Sequence, residues 1–138
     1  MSWAQSLVKL STYEVEVLQK RMAEINQRRA DLEMRLLMLE AEGEAEAQSA
    51  TDDADSGWCH IGFLDGLRVR RAALMDQLKV LALEEQGARD ALTGAFEEQK
   101  KYEQVAEDIR LTRLRERARL DAAAMDEMGL QRAAAARR

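Results

Sequence analysis

Residues 4–39 read AQSLVKLSTYEVEVLQKRMAEINQRRADLEMRLLML. Steps of alternately four and three residues from Ala4 reach Val8, Ser11, Val15, Leu18, Met22, Ile25, Arg29, Leu32, Leu36 and Leu39. Nine of these eleven positions are apolar, with Ser11 and Arg29 the exceptions. The stretches between them, such as QKR, NQRR and EMR, are polar. Such a repeat is the seam of a helix that packs against another helix.

The same spacing returns in the second half from Leu64, at Leu67, Leu74, Leu78, Leu81, Ala88, Leu92, Ala95, Tyr102, Ala106, Ile109, Leu120, Ala123 and Leu130. Arg71, Glu85, Gln99, Arg113, Glu116 and Glu127 interrupt it. Leu111, Leu114, Met125 and Met128 fall off the seam, which predicts a phase shift beyond Ile109. The chain contains no proline. Gly87 and Gly94 weaken the helix by only about 1 kcal/mol each. The reading is therefore all-α: an antiparallel two-helix coiled-coil hairpin with a longer C-terminal helix. It forms one domain, with a helix over about 3–47, a turn over about 48–57 and a helix over about 58–135. If Leu39 faces about Leu67, the chain start lies near residue 105, and some thirty C-terminal residues project unpaired.

Composition agrees with a rod. Charged residues make up 34% of the 138 residues and aromatics 4%, too few bulky apolar groups for a thick core. No apolar run approaches the ~20 residues needed to span a bilayer, which predicts no direct membrane insertion. The N-terminus lacks the pattern of a secretory signal. A single cysteine points to a reducing cytoplasm. The net charge of −5 offers no general attraction to nucleic acid. It is unevenly spread: Leu36–Ser56 carries seven acids and no base, whereas Arg110–Arg138 carries eight bases and four acids.

Residues 49–66, SATDDADSGWCHIGFLDG, hold the only Cys and the only His. Counted as a calcium loop from Asp52, the stretch fails at the third and twelfth positions, Ala54 and Phe63; counted from Asp53, the glycine falls fifth and Leu64 twelfth. Cys59 and His60 have no second Cys or His to complete a zinc site, and adjacent side chains diverge too far for a Cys–His catalytic pair. GLRVRR lacks the Lys-Ser/Thr end of a phosphate loop. These readings predict no enzyme, cofactor or metal. Trp58, Ile61, Phe63 and Leu64 are either a cap on the turn or a surface for a protein partner.

The first helix, LVKLSTYEVEVLQKRMAEINQRRADLEMRLLMLEAE (residues 7–42), resembles the opening of the FliJ family of flagellar protein-export components, most specifically at Tyr13-Glu14-Val15. AFEEQKKYEQVAEDIR (95–110) resembles that family's Lys-Lys-x-Glu segment at Lys100-Lys101-Tyr102-Glu103, and Asp126-Glu127 its C-terminal Asp-Glu. The resemblance implies a non-enzymatic cytoplasmic protein at the inner face of the inner membrane. Such a protein serves as the central stalk of the hexameric flagellar export ATPase and contacts the cytoplasmic domain of the membrane export gate and the export chaperones. It makes Arg110, Arg113, Arg115, Arg117 and Arg119 candidates for the ATPase contact. At the gate it implies a Phe-x-x-x-Leu pair, here Phe63 and Leu67, and Trp58 beside the turn joins them as a candidate. Arg70 and Leu74 depart from the small and imidazole residues expected further along that pattern. Two alternatives stand beside this reading: the related stalk of a virulence injectisome, and a structural or chaperone-like hairpin with no ATPase partner.

Overall fold

The computed structural model describes residues 2–49 and 54–137. Two helices account for nearly all of them: α1, Trp3–Ser49, and α2, Ala54–Ala136. There is no strand among the described residues. The all-α hairpin reading holds, because each helix buries its seam against the other. Residues 48, 49 and 54–57, expected in the turn, are helical, and 50–53 lie outside the described residues. Gly57, Gly62 and Gly66 all lie inside α2, and no described glycine has a positive φ. With no proline to block it, a helix already propagating absorbs each glycine for about 1 kcal/mol.

α1 starts on a reciprocal cap. The Gln5 backbone N–H donates to Ser2 Oγ at 3.3 Å, and the Ser2 N–H donates to Gln5 Oε1 at 3.1 Å. Two of the donors that a helix N-terminus leaves unpaired are thereby satisfied.

The chain divides into two compact units. In the unit Val15–Gly94, the seam closes on Ile25, Leu81 and Ala88, with Met22 and Leu32 half-buried against them. Val15 and Leu39 are also buried. Two of the breaks noted in the seam pair with each other. Arg29 forms an ion pair with Glu85, whose side chain is only 13% exposed and which also accepts from Arg89 Nη2 at 2.7 Å. Next to this pair, Arg28 Nη2 donates to Glu84 Oε1 at 2.6 Å. Toward the connection, Arg71 faces Glu40 at 3.7 Å and Arg70 faces Glu42 at 3.8 Å. The residue numbers of these four interhelical pairs add to between 111 and 114, the constant sum of an antiparallel alignment. Gly43 marks a close approach: a Cβ there would meet Leu67 Cδ1 at 2.9 Å.

In the unit Met1–Glu14 with Ala95–Arg138, Ala4, Ser11 and Ala95 are buried. Another break is used here, since Gln99 Nε2 donates to Thr12 Oγ1 at 3.1 Å. Ser11 also avoids an orphaned hydroxyl by donating to the Val8 carbonyl at 2.9 Å. Ser2 and Gln5 lie beside Ala106, Ile109 and Arg113, so the chain start sits a few residues further along α2 than 105. Beyond Leu111, every described residue through 137 is exposed. The hydrophobes of that segment, Leu114, Leu120, Met125, Met128 and Leu130, are exposed, and of these Leu114 stands beside Ser2 and Gln5.

Glu85→Ala leaves Arg29 partly buried without its counter-charge and is expected to cost about 2 kcal/mol. Replacing Arg29 and Glu85 together by leucine should recover most of that loss, since an apolar layer substitutes well for a buried ion pair. Urea unfolding followed by circular dichroism measures both.

Candidate functional site

The unit Met1–Glu14 with Ala95–Arg138 carries the basic surface. Residues 110–119, RLTRLRERAR, contain five arginines and one glutamate on a helical stretch. Two of the arginines are engaged locally. Arg110 makes a forked contact with Glu107, with Nη2 at 2.7 Å and Nε at 2.9 Å from its carboxylate oxygens. Arg119 does the same with Glu116, at 2.6 and 3.3 Å. These hydrogen bonds hold the Glu107 carboxyl below its usual range and raise both guanidinium groups above theirs. Arg113, Arg115 and Arg117 make no ion pair among the described residues. At about 100° per residue, Arg110, Arg113 and Arg117 fall within about 60° of one another, while Arg115 and Arg119 lie on the opposite side. The five candidates thus clothe two opposite faces of one helix. Arg113 and Arg117 also line a shallow notch of about 180 Å³ with Ser2 and Gln5.

The three gate candidates lie in the unit Val15–Gly94 but do not form one patch. Phe63 and Leu67 are half-buried and stand about 40° apart on the side of α2 that faces α1. Leu67 packs over Gly43 and beside Leu39. Trp58 is 76% exposed and lies about 140–180° around the helix from those two. Its exposed apolar neighbour is Ile61, about 60° away, whereas Leu64 lies about 120° away. The sequence grouped these residues by proximity along the chain, but the helix sorts them onto two faces.

The remaining candidates do little chemistry. Cys59 is exposed. His60 is half-buried, and its Nδ1 makes no hydrogen bond. Among the described residues no three His, Cys, Asp or Glu side chains cluster in a way that could hold a metal ion, and no helix is long and apolar enough to cross a membrane. The calcium-loop count begins at Asp52 or Asp53, outside the described residues.

Two features escaped the sequence reading. One is the Arg28–Glu84 and Arg29–Glu85 charge pairing, legible only once the antiparallel sum is known. The other is an apolar stripe on the outer side of α2, where Val69, Val80 and Leu83 are each about two-thirds or more exposed. Its signal was a second heptad phase running beside the first.

Two relatives match over almost the whole chain. Each is named "Flagellar FliJ protein", one from Caulobacter vibrioides strain NA1000 / CB15N and the other from Caulobacter vibrioides strain ATCC 19089 / CIP 103742 / CB 15. Each is 48% identical over 132 residues, covering 96% of this chain and 95% of its own length. No family model matches, and no solved structure does.

Trp58→Ala is expected to leave thermal stability unchanged, whereas Leu67→Ala should lower it by about 1–2 kcal/mol as the contact over Gly43 is lost. Equal losses would mean that Trp58 is packed rather than free.

Proposed function

The chain belongs to the flagellar FliJ family, and from that premise we propose that it is a non-enzymatic component of the flagellar type III export apparatus. In this reading it works in the cytoplasm, at the inner face of the membrane, as the stalk of the hexameric export ATPase. The observation that carries the stalk role is the bare extension of α2. It is helical to Ala136, exposed beyond Leu111 and basic on two opposite faces. A ring encloses whatever it holds, so a stalk inside one must offer charge around its circumference, and arginine on both faces meets that demand. Partner carboxylates would be taken up by Arg113, Arg115 and Arg117 first, because Arg110 and Arg119 already have intrahelical partners. Arginine suits the task, since its fork grips a carboxylate with two hydrogen bonds.

Contact with the cytoplasmic domain of the export gate is assigned to the start of α2. Trp58 supplies the exposed apolar anchor, and Phe63 and Leu67 hold the helix against α1 beneath it. Large exposed aromatics carry a disproportionate share of binding energy at protein interfaces. Export chaperones complete the set of partners. The flagellar name of both relatives favours this reading over the injectisome stalk, and the exposed basic stretch of α2 favours a bound partner over a partnerless hairpin.

Arg113→Glu, Arg115→Glu and Arg117→Glu combined should abolish co-elution with the hexameric export ATPase and its stimulation, with helicity unchanged. Wild-type binding by this variant would overturn the stalk role. Trp58→Ala should weaken binding to the gate domain about tenfold or more in calorimetry; unchanged affinity would leave Trp58 without a part in that contact.

A further inference from the structure

The start of α1 is dressed unlike the stretch that follows it. Trp3–Tyr13 holds one charged residue, Lys9, whereas Glu14–Arg35 holds ten in 22. The solvated face of a helix is ordinarily charged or polar, and here it is apolar and aromatic instead. Steps of three and four from Trp3 reach Ser6, Leu10 and Tyr13, and all four residues are exposed. Trp3 and Tyr13 are each 64% exposed and Leu10 is 58% exposed. At about 100° per residue these three fall within about 80° of one another, and about 80–180° around the helix from the buried Ala4 and Ser11. They form one stripe that α2 leaves uncovered. The stripe begins level with the arginine-rich stretch, since Ser2 and Gln5 stand beside Arg113 and Arg117 in the notch of the same unit.

Taking the stalk role as premise, we propose that Trp3, Leu10 and Tyr13 are the apolar half of the contact with the export ATPase ring, the arginines of α2 being the charged half. Continuity with the arginine stretch selects the occupant. A small domain is about 30 Å across, so a ring subunit centred on Arg113–Arg119 extends roughly 15 Å to either side along the helix axis. At 1.5 Å per residue Trp3 to Tyr13 spans about 15 Å, starting level with Arg113. The ring wall therefore covers Trp3 and Leu10 and meets Tyr13 at its rim. A different partner for the stripe would have to occupy space that the ring already fills. Residue type agrees, because tryptophan and tyrosine are enriched at protein interfaces and dominate their energetics. The lining of the ring is thus expected in two levels, acidic around Arg113, Arg115 and Arg117, and apolar around the start of α1.

The test uses the full chain carrying Trp58→Phe, in which Trp3 is the sole tryptophan. Biosynthetic incorporation of hydroxytryptophan lets that residue be excited apart from the tryptophans of the ATPase. On titration with the hexameric export ATPase its emission should move to shorter wavelength and lose most of its quenching by acrylamide. Trp3→Ala, Leu10→Ala and Tyr13→Ala combined should weaken ring binding at least about tenfold. Helicity should be unchanged, because alanine is the best helix former. At about 0.5 M salt, where charges are screened within a few Å, the wild type should keep measurable binding and the combined variant none. Ring binding with the Trp3 probe still fully quenched would overturn the apolar contact and leave the stalk role standing. No ring binding by the wild type would overturn both. Protection that grows with the concentration of the chain alone would assign the stripe to a second copy and overturn the ring contact as well.

Discussion

Arg29 and Glu85 meet inside a stretch of the seam whose nearest layers are apolar, with Leu32 and Ile25 on one helix and Leu81 and Ala88 on the other. Two amphipathic helices with small apolar residues along their stripes could slide past one another at little cost, because leucine against leucine is much the same at the next turn. A charge pair cannot slide. One heptad away, Arg29 would face Leu78 or Leu92, and a partly buried guanidinium would lose its carboxylate. The four interhelical charge pairs of the unit Val15–Gly94 share one alignment for this reason. The three with exposed side chains add little energy. The pair in the seam supplies the specificity, in the way a single polar residue sets register in other coiled coils.

This explains which parts of the molecule could be read from the chain alone. The apolar positions announced themselves by spacing, and every α1 seam position from Ala4 to Leu39 is buried or half-buried. The polar interruptions could not be read in the same way, because each looks like a defect until its partner on the other helix is known. Arg29 and Glu85, Arg71 with Glu40, and Gln99 with Thr12 are pairs separated by tens of residues, and periodicity within one helix carries no information about them. The helices reach further toward each other than the expected bounds, because glycine in a chain without proline only lowers helix stability, and Gly57 lies inside α2. Trp58 and Phe63 were grouped because they are near in sequence. At about 100° per residue, five residues carry a side chain most of the way to the other face.

The two helices use their surfaces differently. α1 has one buried stripe and a largely charged exterior in its middle third. α2 carries more: a stripe for α1, a second apolar stripe on its outer side between Gly62 and Gly94, and a basic exposed stretch beyond Leu111. A helix hides only the face that touches something, so apolar residues on two faces indicate two neighbours. The hairpin supplies one of them.

The antiparallel alignment also constrains how such a chain can change length. Each interhelical pair depends on a fixed sum of residue numbers, and each seam on a fixed angle around the helix. Inserting or deleting one residue within either paired stretch turns everything beyond it by about 100° and carries the apolar stripe into water. Only a seven-residue change, balanced by another on the opposite helix, restores both sum and angle. The exposed stretch beyond Arg117 obeys no such arithmetic, because no described residue of α1 is aligned to it. Drift in length is therefore confined to the connection between the helices and to the free end of α2, while the paired stretches can grow or shrink only by whole heptads.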